Sequence, residues 1–272
     1  MAAVEELNGD TRLSSADRLR YLWRNLCRNL SAVGRGPATR KFSPAADKAR
    51  AMAAGQSPGR LLTELFIAEE LPRLLAMRKA DVIEIGCGSG SMADRLAGLD
   101  FSGRYCGVDI QDRFNRNRPK DFPFSVEFRQ CDVHDFVPAY KADLMISVSA
   151  LEHIPHDDRV IGRFPDAMKP GGMEVHVVPS GAGLAIYLFH GLRQYTPAAL
   201  EQKFGADIEI VRLGGLGSYL LHITFITVSD LVFRRSLRKA APWLYRTLLL
   251  GALWCDGWLP LCPSAYAVIR RH

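Results

Sequence analysis

The residues with the clearest chemical signal are three glycines that follow an apolar run. Residues 82–90, VIEIGCGSG, predict a strand that enters a glycine-rich turn and opens a helix near Ser91. Glycines at such a turn let the chain bend tightly and let a ligand approach the backbone. The GxGxG spacing differs from the GxGxxG of dinucleotide-binding loops. The negative charge of Glu84 would attract a cationic ligand and repel a pyrophosphate. An ordinary turn is the alternative interpretation.

Two aspartates follow at the ends of later strand-like runs. Asp109 lies in GVDI, nineteen residues after Gly90, where a carboxylate at the tip of a second strand accepts hydrogen bonds from both ribose hydroxyls. Asp132 lies in CDVHDF, where it can accept from an exocyclic adenine amine while apolar neighbours flank the ring. Asp109 also has a structural interpretation, as the cap of the next helix.

The elements that must position these residues alternate along the chain. Strand-like runs lie at 81–85, 104–109, 125–130, 142–148, 173–178 and 208–212, and helical patterns lie between them at about 90–98, 111–118, 157–167 and 196–204. This alternation predicts parallel β-α-β units with helices on both faces of a sheet. A final strand-like run, 264–269, follows a long apolar and basic segment.

The flanking segments have a different character. Residues 10–33 carry leucines at three- and four-residue steps with arginines between them, which predicts a basic amphipathic helix. Rich in Ala, Gly, Pro and Ser, residues 34–59 are expected to be a linker with at most one short helix, and 60–77 are helical again. We therefore divide the chain into an extension (1–59), a core (60–213) and an apolar, basic helical insertion with a last strand (214–272).

In their order and spacing, these segments resemble the class I S-adenosylmethionine-dependent methyltransferases. VIEIGCGSG is similar to the first motif of that family, GVDI to the acidic tip of its second strand and CDVHDF to its adenine-contacting loop. ADLMISV resembles the fourth strand, and MKPGG resembles the turn before the fifth. The resemblance covers about residues 81–213. It implies a Rossmann-like, doubly wound α/β fold with a mostly parallel seven-stranded sheet and helical additions at both ends.

The resemblance also implies S-adenosyl-L-methionine as the cofactor. In the family's pattern Gly86, Gly88 and Gly90 bracket the methionine portion, Asp109 holds the ribose, and Asp132 with its neighbour receives the adenine. The expected cofactor site comprises Glu84, Gly86, Cys87, Gly88, Gly90, Asp109, Ile110, Asp132, Val133 and Ser149.

Two polar clusters follow the fourth and fifth strands, where the methyl acceptor is expected to lie. The first contains the tripeptide LEH, residues 151–153, which resembles the ubiquinone-type O-methyltransferases. In those enzymes a preceding acid helps to hold a divalent metal. Ser149 stands at that position here, so no metal is expected. The second cluster contains His190, Arg193 and Tyr195, which are polar residues in an otherwise apolar stretch. The candidate catalytic residues are His153, His190 and Tyr195, with a histidine as general base. Alternatively, Glu152 and His153 only orient the loop.

Composition and charge limit the partners. The hydrophobic and charged fractions, 48% and 24%, are those of a globular protein. The net charge of +6 divides into +5 over residues 1–50, −5 over 51–230 and +6 over 231–272. Because the core is acidic, a nucleic-acid substrate is not expected. Cations beside Trp and Leu in 231–262 suit peripheral contact with a membrane, or else an extra helical layer over the sheet.

The expected location is the cytoplasm, with peripheral membrane association. Six cysteines without a CxxC pair suggest reduced thiols, and residues 1–10 are too polar for a secretory signal.

The expected reaction is methyl transfer to a hydroxyl of a small or lipid-linked metabolite, by in-line attack on the sulfonium methyl. An amine or carbon acceptor is the second choice. The alternative is a non-catalytic module that keeps the cofactor site and acts in a complex or at a membrane. The oligomeric state stays open.

Overall fold

An eight-stranded sheet forms the centre of the molecule. The computed structural model describes residues 7–32, 36–74, 79–99, 101–114, 121–233 and 236–272, and the structural statements below refer to them. The strands are β1 (Thr39–Lys41), β2 (Lys79–Ile85), β3 (Ser102–Asp109), β4 (Ser125–Gln130), β5 (Ala142–Val148), β6 (Met168–Pro179), β7 (Ile208–Leu213) and β8 (Ala265–Arg271).

The strand order β1-β7-β8-β6-β5-β2-β3-β4 makes this a doubly wound sheet. Strand β8 runs antiparallel to β6 and β7, and the other neighbouring pairs are parallel. The near-continuous apolar sequences of the central strands follow from this topology, because helices cover both faces of a parallel sheet. The predicted fold class is confirmed, with one correction: the sheet has eight strands, not seven.

Helices pack on both faces of the sheet. They are α1 (Ser15–Ser31), α2 (Ala46–Met52), α3 (Pro58–Leu74), α4 (Ser91–Ala97), α5 (Asp157–Arg163), α6 (Gly183–Tyr187), α7 (Pro197–Phe204), α8 (Leu216–His222), α9 (Leu237–Ala240) and α10 (Pro242–Trp258). Short 3₁₀ turns occupy Leu151–His153 and Pro165–Ala167, and a π-helix occupies Ile223–Phe233. In the described ranges, no helix combines the length and the apolar character needed to cross a membrane.

Two hydrophobic cores result from the alternation of side chains along the strands. Val82 and its neighbours on one face pack against α3, α4, α8 and α10. Ile83 and its neighbours on the other face pack against α5 and α7. This arrangement holds the carboxyl ends of β2, β3, β4 and β5 at one edge, where the loops with the candidate residues begin.

The eighth strand comes from the segment that we expected to be a linker. Strand β1 pairs in parallel with β7, placing Thr39 opposite Ile210, and α2 follows it. A three-residue strand, TRK, has too few residues for an alternating apolar pattern, so the pairing is a tertiary effect. The helix expected at 111–118 does not form over 111–114, and its remainder lies outside the described residues. The division of the chain at residues 59 and 213 stays a prediction.

Candidate active site

The loop after β2 adopts a backbone conformation that favours glycine. Gly86, Gly88 and Gly90 have φ angles of +72°, +53° and +75°, which residues with a Cβ rarely adopt. A Cβ on Gly86 would lie 2.3 Å from the Cβ of Ala150. A Cβ on Gly88 would meet no protein atom within 4 Å, and Gly88 lines an adjoining cleft. The loop therefore leaves its backbone open to a ligand.

This cleft lies at the carboxyl ends of the central strands and has a volume of about 730 Å³. A volume of that size accommodates a nucleoside-containing ligand. Seven of the ten residues expected in the cofactor site line it: Gly86, Gly88, Asp109, Ile110, Asp132, Val133 and Ser149.

Asp109 is held at the wall of the cleft by backbone donors. The N–H of Gly88 donates to its Oδ2 at 2.8 Å, and the N–H of Gln111 donates to its Oδ1 at 2.9 Å. Each carboxylate oxygen has two lone pairs, so both oxygens retain the capacity to accept a further hydrogen bond from a ligand. The geometry fits the diol of a ribose.

Asp132 is oriented by His134, which sequence reasoning missed. The backbone N–H and the Nδ1–H of His134 donate to Asp132 Oδ1 at 2.9 and 2.7 Å. These bonds, with the backbone bond as the larger cause, lower the pKa of Asp132. The Nε2 of His134 lies 2.9 Å from the carbonyl oxygen of Pro155. His134 thus joins the loop after β4 to the loop after β5.

Three residues expected in the cofactor site do not line this cleft. Glu84 lines a neighbouring cavity, where its buried carboxylate accepts a hydrogen bond from the hydroxyl of Tyr105. Cys87 is buried, and burial raises the pKa of its thiol, so it packs as a neutral side chain. Gly90 shapes the turn before α4. Glu84 is close to the site, whereas Cys87 and Gly90 support the loop.

The neighbouring cavity has a volume of about 430 Å³ and shares Val148, Ser149 and His190 with the cofactor cleft. Ser149, directly after β5, has a φ of +50°. A left-handed conformation at a non-glycine residue costs energy and is common at functional sites. Glu152 and Tyr187 also line this second cavity, which we call the acceptor cavity.

Asp10 brings the two candidate histidines together. Its Oδ2 lies 2.8 Å from the Nδ1 of His153, and its Oδ1 lies 3.2 Å from the Nδ1 of His190. The N–H of Gly191 also donates to Asp10 Oδ2, at 3.0 Å. Because a carboxylate only accepts hydrogen bonds, this contact favours hydrogen on both Nδ1 atoms and leaves each Nε2 as a proton acceptor.

Glu152 lies beneath the histidine pair. Its Oε1 is 3.9 Å from the Nε2 of His153 and 3.8 Å from the Nε2 of His190. Neither carboxylate oxygen of this buried side chain accepts a hydrogen bond from another residue that the structure describes. Burial, reinforced by the negative charge of Asp10, raises the pKa of Glu152 to about 8. Such a displaced pKa beside a cavity is typical of a functional group.

The same cluster bears on the question of a metal. Asp10, His153 and His190 each offer a ligand atom, and the three atoms lie within 4.8 Å of one another. That spacing suits a divalent cation as well as hydrogen bonds, so the expectation of no metal stays a prediction.

The pKa of His190 is lowered, mainly by burial and secondly by the charge of nearby His153. His190 is therefore neutral at pH 7 and able to accept a proton.

Tyr195 lies apart from both cavities, and its expected catalytic role stays a prediction. It is 1% exposed and lines neither cavity. Its hydroxyl donates to Asp157 Oδ2 at 2.8 Å. Asp157 also bonds Arg193 at 2.6 Å and Lys203 at 2.8 Å. Tyr195 thus satisfies a buried carboxylate behind the site.

We expect Tyr195→Phe to lower the free energy of unfolding by about 1 kcal/mol, the usual net value of a buried hydrogen bond, and to leave methyl transfer nearly unchanged. Urea unfolding and transfer of labelled methyl groups into a cell extract measure the two effects. Tyr219→Phe, at a partly exposed tyrosine of α8, is the control. A large loss of methyl transfer at unchanged stability would show that Tyr195 takes part in the reaction.

The fold and the cleft define a class of protein. A glycine loop after the first central strand, an aspartate at the tip of the next strand and an antiparallel strand between β6 and β7 are together the architecture of the class I methyltransferases. The chain belongs to the methyltransferase domain family, whose sequence profile matches residues 60–231. The expected family, that of the methyltransferases, is confirmed.

Two curated relatives are trans-aconitate 2-methyltransferases. The one from Deinococcus radiodurans is 26% identical over 139 residues, which are 51% of this chain and 52% of the relative. The one from Variovorax paradoxus is 27% identical over 106 residues, 39% of this chain and 40% of the relative. The chain therefore matches about half of the length of these relatives or less.

Two solved structures are also similar. The N-methyltransferase NodS from Bradyrhizobium japonicum, in complex with S-adenosylhomocysteine, has a TM-score of 0.46 at 15% identity and covers 74% of this chain and 93% of its own. Coclaurine N-methyltransferase, bound to N-methylheliamine and S-adenosylhomocysteine, has a TM-score of 0.48 at 11% identity. It covers 96% of this chain and 89% of its own.

Proposed function

We propose that this protein transfers the methyl group of S-adenosyl-L-methionine to a hydroxyl of a small or lipid-linked metabolite. One observation carries the proposal: the cofactor cleft and the acceptor cavity meet at Ser149 and His190, and a buried carboxylate without a hydrogen-bond donor among the other described residues lines the acceptor cavity. Amine and carbon acceptors are second choices.

The residues of the cofactor cleft fit a positively charged nucleoside. The glycine loop provides an open backbone, Asp109 offers acceptors for the ribose hydroxyls, and Asp132 offers one for the adenine amine. The bound cofactor supplies a methyl group on a sulfonium, from which a neutral thioether leaves readily. The remaining task of the protein is alignment, and proximity supplies much of the acceleration in such reactions.

A hydroxyl acceptor must also lose a proton. The acceptor oxygen forms a bond to the methyl carbon while the bond from carbon to sulfur breaks, and the proton passes to a base. His190 lines both cavities, and its Nε2 faces the acceptor side with Glu152 3.8 Å away. Asp10 orients the ring from the other side. A hydroxyl must be deprotonated when it is methylated. Several proton acceptors around one cavity therefore favour a hydroxyl as the methylated group.

Separate variants test the histidines. We expect His190→Gln to lower methyl transfer about 100-fold, the low end for a general base, and His153→Gln, at the cofactor side, to lower it less. Affinity for S-adenosylhomocysteine should stay within about twofold in both, because neither histidine contributes the charged hydrogen bonds that hold the nucleoside. The assay is incorporation of labelled methyl groups into the lipid and polar fractions of a cell extract.

His156→Gln, at an exposed histidine before α5, is the matched control and should transfer normally. Full activity in both the His190 and His153 variants would remove them as bases. If the unaltered protein binds S-adenosylhomocysteine but labels neither fraction of any extract, the non-catalytic alternative becomes the better proposal.

A further inference from the structure

The apolar stripe of helix α1 faces away from the protein. Leu19, Trp23, Leu26 and Leu30 are 70%, 69%, 42% and 61% exposed. Their spacing of four, three and four residues places them along one side of the helix. A helix of a globular protein normally buries such a stripe, so the reversed orientation of α1 needs an explanation.

Polar contacts fix the helix in this orientation. Tyr21 and Asn25 are its buried residues. The hydroxyl of Tyr21 donates to the carbonyl oxygen of His190 at 2.8 Å, and the side-chain amide of Asn29 donates to the carbonyl oxygen of Gly181 at 3.2 Å. The face that contacts the body of the protein is thus the polar one. The stripe points outward because the opposite side of α1 is occupied by these hydrogen bonds.

The charge of α1 indicates what covers the stripe. The helix carries four arginines and one aspartate. Arg20, whose side chain is 75% exposed, lies one quarter-turn around the helix from the stripe. An apolar stripe flanked by arginine is the pattern of a helix that lies in the interface of a membrane with anionic lipids.

We propose that α1 binds the surface of an anionic lipid bilayer through Leu19, Trp23, Leu26 and Leu30, with the exposed Arg18 and Arg20, one on each side of the stripe, at the headgroups. This binding surface is independent of the proposed methyl transfer. A second copy of the chain fits less well. The four side chains expose on the order of 500 Å², below the roughly 800 Å² per partner of a standard interface.

The sequence-based expectation placed membrane contact at residues 231–262 and allowed it for the N-terminal basic helix as well, with a lid or dimer contact as the alternative there. Helix α10 does expose Trp243, Trp254 and Trp258. However, its own sequence contains one arginine and one aspartate, and Arg238 and Lys239, the other described cations of the segment, lie in α9. The described part of the segment thus carries +2, against +3 on α1. Residues 234 and 235 of that segment lie outside the described residues.

Vesicle flotation of the full chain tests the proposal. The vesicles contain equal parts of phosphatidylcholine and phosphatidylglycerol, or phosphatidylcholine alone. We expect stronger binding to the anionic vesicles and a sharp loss at about 1 M salt, where the Debye length falls to about 3 Å. The double variant Leu19→Ser, Trp23→Ser should weaken binding by roughly tenfold or more, because it removes two of the four inserted side chains.

Trp254→Ser is the matched control, since Trp254 is 68% exposed, and it should retain the binding. Both variants should keep the S-adenosylhomocysteine affinity and melting temperature of the unaltered protein, because the substituted side chains are exposed. Vesicle binding that survives the double variant, or that Trp254→Ser weakens equally, would overturn the assignment to α1. A second result would also overturn it: light scattering shows that the unaltered protein is a dimer and the double variant a monomer, and neither protein binds vesicles.

Discussion

Replacing Asp109 with alanine is expected to weaken S-adenosylhomocysteine binding by about tenfold or more, because charged hydrogen bonds contribute about 1.5–3 kcal/mol each. The variant removes the acceptors for the ribose hydroxyls. It also frees the N–H groups of Gly88 and Gln111, which the carboxylate now holds at 2.8 and 2.9 Å. The glycine loop therefore loses a support together with the ligand contact. Titration calorimetry measures the affinity.

Two further variants make this experiment specific. Asp158→Ala removes an exposed aspartate of α5 and should leave the affinity unchanged. Asp109→Asn keeps one oxygen acceptor but no negative charge, so its affinity should fall between those of the unaltered protein and the alanine variant. An affinity of Asp109→Ala equal to that of the unaltered protein would refute the assignment of this cleft to the cofactor.

Glu152→Gln is expected to change activity and stability in opposite directions. The pKa of Glu152 is raised from 4.5 to about 8, so the folded protein keeps this carboxyl neutral over a range in which the unfolded chain ionises it. The folded state then becomes less stable as pH rises from about 4.5 to about 8. The loss is roughly 1.4 kcal/mol per pH unit across that range.

Glutamine removes this penalty because it does not ionise. We expect the Glu152→Gln variant to be more stable than the unaltered protein at pH 8, by a few kcal/mol, and about equally stable at pH 4.5. Urea unfolding at the two pH values measures the difference. A variant that is less stable at pH 8 would mean that the carboxylate is stabilised in its ionised form by contacts of the folded protein.

Methyl transfer by the same variant is expected to fall about 100-fold or more, the range for loss of a general base or its partner. In the unaltered protein, transfer should rise with pH up to about pH 8, as Glu152 loses its proton. The variant should lack that rise. Glu201→Gln, at a partly exposed glutamate of α7 that lines neither cavity, is the control. Normal transfer by Glu152→Gln with an unchanged pH profile would exclude Glu152 from the chemistry.

The central sheet could be predicted because its signals are local. Strands β4 and β5 begin and end at the predicted residues, 125–130 and 142–148, since runs of apolar and β-branched residues bounded by polar ones are confined to a few positions. Strand β1 could not be predicted. Its three residues carry no period, and only the free edge of β7 makes them a strand.

The site divides in the same way. Asp109 and Asp132 stand at strand ends that the sequence reveals, and both line the cleft. Asp10 had no local signal, because its partner His153 is 143 residues away in the chain. Tyr195 was assigned to the site because it is a polar residue in an apolar stretch. The same pattern fits a buried hydrogen bond, and the structure shows one, from Tyr195 to Asp157.

Strand β1 also limits how far α1 can move away from the protein, because the connection between them is short. Seven residues separate the end of α1 at Ser31 from the start of β1 at Thr39, and a fully extended chain of that length spans roughly 28 Å. A helix that leaves the body of the protein therefore stays within that radius of the sheet edge. Rebinding of α1 to the body of the protein is therefore intramolecular, with an effective concentration on the order of millimolar. A free peptide with the sequence of α1 would accordingly compete poorly for the contacts that α1 makes with the protein.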